Sequence, residues 1–366
     1  MRLTIITSWA TDVTGGSGTA VFYQSLVKGL AERGYDLDII APNFDVSDYV
    51  GVTLQRIHFN TRLTTDPRIQ QADVLIGLDY DGFGLDPVQR PPLIASAHAV
   101  FGDVLQWETG EIATMVKAQA FFDQIMMQNA DVVTIGSHYA KSRITDLYGV
   151  APHKIDVIYH GMIDQTWMRL AETMPRTPND HPVILSVGKM YPRKRTDVLL
   201  RAMPHLLERH PSLELRIAGD GLMYSENLAL AAQLGIADHV TFLGHVDDDM
   251  TFAHEWVQAD VFVHPSSQET FGFVYLEAMR LGKPVVAVRA GAAPEVVDGS
   301  GRLAEPENPA ALAAEIDFFL THERARETYG RWAQTRARHF THSAMIDGYE
   351  QAIERAIAVH ERVNVR

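Results

Sequence analysis

The chain has 366 residues, 46% hydrophobic and 21% charged, which excludes a disordered tail or a collagen-like fibre and, at about 100–200 residues per domain, calls for two domains. It has no cysteine, so disulfides, thiolate nucleophiles and zinc–thiolate sites are excluded. The formal charge is −14, shared as −7 over residues 1–160 and −7 over the remainder, which argues against a nucleic-acid binder needing a basic surface.

In chain order, short β-like runs alternate with helical patterns. Leu3–Thr7 reads as a buried strand, followed by Gly15-Gly16-Ser17-Gly18 and a helix from Ala20 to Arg33, with Val21, Phe22, Leu26, Val27 and Leu30 at helical spacing and Gly34 as its stop. Further strands are expected at Leu37–Ala41, Val74–Gly77, Leu93–Ala97, Val132–Ile135 and Lys154–Tyr159. Phe121, Phe122, Met126 and Met127 read as core. Ala171 to Pro182, with three prolines, reads as a linker. A second series follows: strands Val183–Val187, Leu213–Ala218, Val240–Leu243, Val261–Val263 and Pro284–Val288, with helices Asp197–Arg209, Ser225–Leu234, Phe273–Leu281 and Ala310–Thr321. From about Ser343 a last helix places Ile346, Tyr349, Ile353 and Ile357 on one face. Such alternation predicts an α/β protein with two doubly wound parallel sheets. No apolar run reaches the ~18 residues of a spanning helix, and Met1–Ser8 is too short for a signal peptide, so a soluble cytoplasmic protein is expected.

Three constellations could carry chemistry. The glycine loop at Gly15–Gly18 lets backbone approach a ligand at a helix start, but a tight strand-to-helix turn also uses such residues, and on its own the signal is weak. Gly16 and Gly18 are followed by Val21 where a dinucleotide fingerprint needs Gly or Ala, which disfavours a dehydrogenase. The loop Gly188-Lys189-Met190-Tyr191-Pro192-Arg193-Lys194-Arg195 puts four cations at the carboxyl end of a strand, where open α/β sheets bind ligands and where a departing diphosphate needs fixed positive charge. The third stretch runs from Pro265 to Met279. There Glu269 precedes a helix opened by Gly272 and Glu277 lies within that helix, so two carboxylates flank an anion-binding helix start. A glycosidase pair is disfavoured, because about two helical turns separate the glutamates and such an enzyme has no use for a lysine cluster. His98, taken alone, reads as a structural histidine. Asp247-Asp248-Asp249 reads as a solvated helix start rather than a metal site.

Taken in order, these pieces resemble the retaining nucleotide-sugar glycosyltransferases of family 4, of GT-B architecture. The most specific part is Glu269-Thr270-Phe271-Gly272-Phe273-Val274-Tyr275-Leu276-Glu277-Ala278-Met279 with Gly282-Lys283-Pro284-Val285-Val286-Ala287. Gly15-Gly16, Ser186-Val187-Gly188, Arg193-Lys194, Ala218-Gly219-Asp220-Gly221, Phe242-Leu243-Gly244 and Pro294-Glu295 support it. The resemblance implies two facing Rossmann-like domains with an interdomain cleft: an acceptor-side domain at 1–165, a nucleotide-sugar domain at 166–345 and a helix at 346–366 crossing back to the first. It implies that Lys189, Lys194, Glu269 and His98 are the catalytic group. The donor would be bound by Gly15, Gly16, Gly188, Arg193, Gly244, His245, Val246, Phe271, Gly272, Phe273, Val274 and Glu277. Within that set Lys189, Lys194 and Gly16 would hold the diphosphate, Glu269 the transferred sugar and Glu277 the ribose. His98 would sit by sugar and acceptor. The chain departs from the family at Lys189, usually Arg, at Arg195, often Gly, and at Gly291-Ala292-Ala293 in place of a double glycine.

The implied activity is hexosyl transfer from a nucleoside diphosphate sugar to a hydroxyl of a sugar, polyol or lipid-linked acceptor, with no metal or other cofactor. A nucleotide-sugar epimerase or a non-catalytic nucleotide-sugar-binding protein are the competing readings. No nucleic acid, at most peripheral membrane contact, and a monomer or homodimer are expected.

Overall fold

A computed structural model describes the chain apart from residues 10–17, 44–47, 164, 178 and 365–366, and apart from the side chains of 363–364. It divides into two compact units, residues 1–162 with 341–366, and 163–340.

The first unit holds a six-stranded sheet of β1 (Arg2–Ile6), β2 (Asp36–Ile40), β3 (Val74–Leu78), β4 (Leu93–Ser96), β5 (Val132–Ile135) and β6 (Ile155–Val157), in the order β2-β1-β3-β4-β5-β6 and parallel throughout. β3, β4 and β5 are buried along their whole length, as strands covered by helices on both faces must be. The second unit repeats the plan with β7 (Val183–Val187), β8 (Glu214–Ala218), β9 (Val240–Gly244), β10 (Val261–His264), β11 (Val285–Val288) and β12 (Arg302–Ala304), in the order β12-β11-β10-β7-β8-β9. β12 was not anticipated: three residues with one charged side chain carry no apolar run, and pairing with β11 alone makes them a strand.

In each sheet the winding reverses once, between β1 and β3 in the first unit and between β7 and β10 in the second. Crossovers from these neighbouring strands run to opposite sides, and their carboxyl ends open a crevice for ligands.

The helices Gly18–Glu32, Thr196–Leu207, Tyr224–Gln233, Phe273–Arg280 and Pro309–Thr321 lie where the periodicity puts them. Helix Gly110–Asn129 corrects one core assignment. Val116, Gln119, Asp123, Met126 and Met127 make its buried stripe, so Phe121 falls on the opposite face and is 59% exposed. The expected linker is also shortened at its start. Thr166–Thr173 is helical, and Trp167 stacks on the buried Trp256 at 5.8 Å, because an indole and Met168 gain more from burial than a linker would.

The last helix, His342–Asn364, buries Met345, Ile346, Tyr349, Ala352, Ile353 and Ala356 in the first unit. The Tyr349 hydroxyl lies 2.6 Å from Ser96 Oγ and 3.1 Å from Thr134 Oγ1, joining the ends of β4 and β5.

Candidate functional site

The reversal point of the second unit collects the residues with the most chemistry. β7 ends at Val187 and its backbone turns through Gly188, whose φ of +152° favours glycine. The amide of Gly188 donates to Ala218 O at 2.9 Å and that of Met190 to Asp220 O at 2.6 Å, tying this loop to the one after β8. Pro192 opens a short turn, Pro192–Lys194, which carries two of the four cations. Lys189 pairs with Asp220 at 3.3 Å and is half-buried. The Arg193 guanidinium lies 4.8 Å over the Tyr191 ring, and its carbonyl accepts from Ser267 N at 2.9 Å.

Lys194 is half-buried and donates its ammonium to Oε1 of Glu269. The same oxygen lies 2.7 Å from Nε2 of His264, the last residue of β10. The Glu269 carbonyl accepts from Ala292 N at 2.9 Å, so the Gly291-Ala292 turn supports the carboxylate's backbone. Gly272, with φ of +89°, opens helix Phe273–Arg280, and its Cα side faces the Tyr275 ring and Glu269. Phe271 is buried between the rings of Phe273 and Phe340, at 5.7 and 5.6 Å. Val274 follows in the first turn of this helix, and Glu277 lies on it, buried, with no hydrogen bond to its carboxylate among the described residues. Lys194, Glu269 and the helix start are thus brought together, whereas both lysines already have carboxylate partners. Gly244, His245 and Val246 follow β9 at the sheet edge, where the Gly244 carbonyl accepts from Gly219 N at 2.7 Å and His245 pairs with Asp247 at 2.9 Å. Asp248 caps the next helix through Thr251 N at 2.7 Å.

In the first unit the reversal point is lined by Ser8 and Trp9 after β1 and by Asp79, Tyr80 and Asp81 after β3. Asp81 accepts from Ser8 N and Oγ, each at 2.6 Å, and from Asn60 at 2.8 Å. Asp79 accepts from the Trp9 indole N–H and from His98 N at 2.8 Å. The buried Arg56 guanidinium lies 3.9 Å from the Trp9 ring and 4.2 Å from that of Tyr80. His98 sits at the end of β4 with its ring 4.0 Å from Phe22 and Nε2 3.3 Å from Ser96 Oγ. Gly15 and Gly16 lie outside the described residues.

The model of glycosyl transferases group 1 matches residues 173–336, and that of glycosyltransferase family 4 matches residues 16–165. An uncharacterised glycosyltransferase of Methanocaldococcus jannaschii is 29% identical over 358 residues, covering 88% of this chain and 89% of the relative. The chain belongs to the family 4-like glycosyltransferases. Its GT-B fold is shared with sucrose-phosphate synthase from Thermosynechococcus elongatus, at a TM-score of 0.80 and 20% identity, covering 98% of this chain and 99% of that one. It is shared too with the Anabaena protein HepE, solved with UDP and glucose, at a TM-score of 0.71 and 18% identity, covering 97% and 99%.

The electrostatics of this glycosyltransferase follow from burial. Burial alone would raise the Glu269 carboxyl, but the Lys194 ammonium and His264 outweigh it and hold the group far below the usual range, ionised at all working pH. Burial draws Lys194 down, and Glu269 opposes that. Glu277 has no such partner, and desolvation pushes it up to about 7. His98 is pulled down to about 3 by burial, so its imidazole is neutral and can donate or accept one hydrogen bond. Burial also raises Asp79 and Asp81, against Arg56.

Sequence reading passed over His264, Trp9, Asp79 and Arg56. A signal for His264 was present: a histidine closing the apolar run Val261-Phe262-Val263, five residues before Glu269.

Proposed function

We propose that this glycosyltransferase moves a hexosyl unit from a nucleoside diphosphate sugar to an acceptor hydroxyl with retention of anomeric configuration. The observation that carries the reading is the convergence of Lys194, Glu269 and the start of helix Phe273–Arg280 at the reversal point of the second sheet. HepE's binding of UDP and glucose supports a nucleotide-sugar donor.

As the anomeric carbon–oxygen bond breaks, its electron pair leaves with the β-phosphate. The Lys194 ammonium has two N–H groups beyond the one given to Glu269, and these with the Lys189 ammonium and the positive end of the helix would stabilise the growing charge. The second oxygen of Glu269 would accept from hydroxyls of the transferred sugar. Glu277, once ionised, would accept from the ribose hydroxyls. His98 would lie beside sugar and acceptor in neutral form. The leaving phosphate would take the acceptor's proton, with attack on the same face that it vacates.

A thermal-shift series with UDP, GDP, ADP and TDP identifies the base, and acceptor screening with the corresponding sugar nucleotide follows. Lys194→Ala should then lower kcat by about 10²–10³-fold, the cost of losing one fixed donor at a developing charge. Unchanged turnover in a folded variant removes Lys194 from the mechanism.

A further inference from the structure

The His264 ring has no part in the reaction just described, yet it touches the carboxylate at its centre. Its Nε2 lies 2.7 Å from Glu269 Oε1, the oxygen that also receives Lys194. Oε2 accepts no hydrogen bond among the described residues. An ionised carboxylate is an acceptor only, so the ring must carry its hydrogen on Nε2.

The ring itself is fixed on several sides. Phe262 lies parallel to it at 6.3 Å, and Tyr275 meets it edge-on at 5.4 Å, with the tyrosine hydroxyl 3.4 Å from the His264 carbonyl. On the side of the cationic loop stands Gly188, where a Cβ would come within 3.2 Å of His264 Cε1. One imidazole therefore faces the glycine that begins the lysine loop and bonds the carboxylate that receives that loop's lysine.

We propose that His264 is a positioning residue: its Nε2–H, with the Lys194 ammonium, pins Oε1 of Glu269 so that Oε2 alone is presented to a hydroxyl of the transferred sugar. This rests on the reading of Glu269 as the sugar-binding group. A lysine at the end of a flexible stem leaves a carboxylate free to turn about its last bond. A second donor on the same oxygen, from a ring locked by its neighbours, removes that freedom. The charged groups around the ring agree with a neutral imidazole. Burial disfavours the imidazolium, as do Lys194 and Arg193, while Glu269 opposes them; Tyr275, buried alongside, stays protonated.

The test uses the full chain. In 15N-histidine spectra, with the signal assigned by its loss in His264→Leu, the ring should show the Nε2–H tautomer and no protonation between pH 8 and pH 5. The Nδ1–H tautomer, or protonation in that range, overturns the proposal. Calorimetry with the nucleoside diphosphate of largest thermal shift, and with its glucose conjugate, separates positioning from general damage. His264→Leu should leave affinity for the bare nucleotide within twofold and reduce the increment contributed by the sugar at least tenfold. His264→Gln, whose amide can donate, should restore most of it. Equal losses for both ligands and both variants would mean a structural role alone and overturn the proposal. Should wild-type protein bind the conjugate no better than the nucleotide, the sugar reading of Glu269 fails, and the tautomer still decides whether the ring holds the carboxylate.

Discussion

Glu277 and Glu269 are the same residue type eight positions apart, and their surroundings drive them in opposite directions. Glu269 has two donors, one of them buried, and remains ionised. Glu277 is buried without one and is pushed up to about 7 from an ordinary value of 4.5. The folded chain therefore holds that proton more tightly than the unfolded chain does. The resulting stabilisation is full below about pH 4.5 and lost as pH rises through 7, amounting to about 3 kcal/mol. Glu277→Gln keeps the shape and removes the titration, so its melting temperature should exceed wild type at pH 8 and match it near pH 5. The same variant should weaken nucleotide binding, since ribose hydroxyls donate best to an ionised carboxylate, and wild-type nucleotide affinity should itself rise between pH 6 and pH 8. Calorimetry across that range checks both. The residue types of this pair were legible in the sequence; their opposite protonation was not, because it depends on His264 and Lys194, five and 75 residues from Glu269.

At the level of elements, periodicity located most strands and helices, since a parallel strand buried on both faces reads as an unbroken apolar run. It failed where a strand carries no apolar run, as in β12, or where a helix carries polar groups in its buried stripe, as with Gln119 and Asp123 in Gly110–Asn129. The start of helix Phe273–Arg280 shows how a single position sets the geometry of a site. Gly272 has φ of +89°, and a Cβ there would stand 2.6 Å from Tyr275 Cδ2. Gly272→Ala should destabilise the protein by about 2–4 kcal/mol, combining the left-handed backbone penalty with overpacking against the ring. Urea unfolding measures this, and because the helix start must shift, affinity for a nucleoside diphosphate should fall with it. An unchanged midpoint and affinity would show that the turn tolerates a side chain.

For the whole molecule, the chain leaves its first unit at Met162 and returns to it at Thr341. The returning helix contributes core residues and one hydroxyl to the sheet it rejoins. Tyr349→Phe removes that hydroxyl from Ser96 and Thr134, and should cost about 1–3 kcal/mol through the buried groups left with fewer partners. A thermal melt checks it, and a loss well below that range would mean that Ser96 and Thr134 find other partners.

The local order of strands, helices and turns, and the kinds of charge near each strand end, followed from the sequence because they rest on period, propensity and the special conformations of glycine and proline. Tertiary structure decided which strand ends meet and therefore which charges pair. It is burial at those junctions that makes Lys194 and Glu269 partners, gives His264 its task, and leaves Glu277 alone with a proton. Distance along the chain carries no record of such desolvation; only the packed sheet creates it.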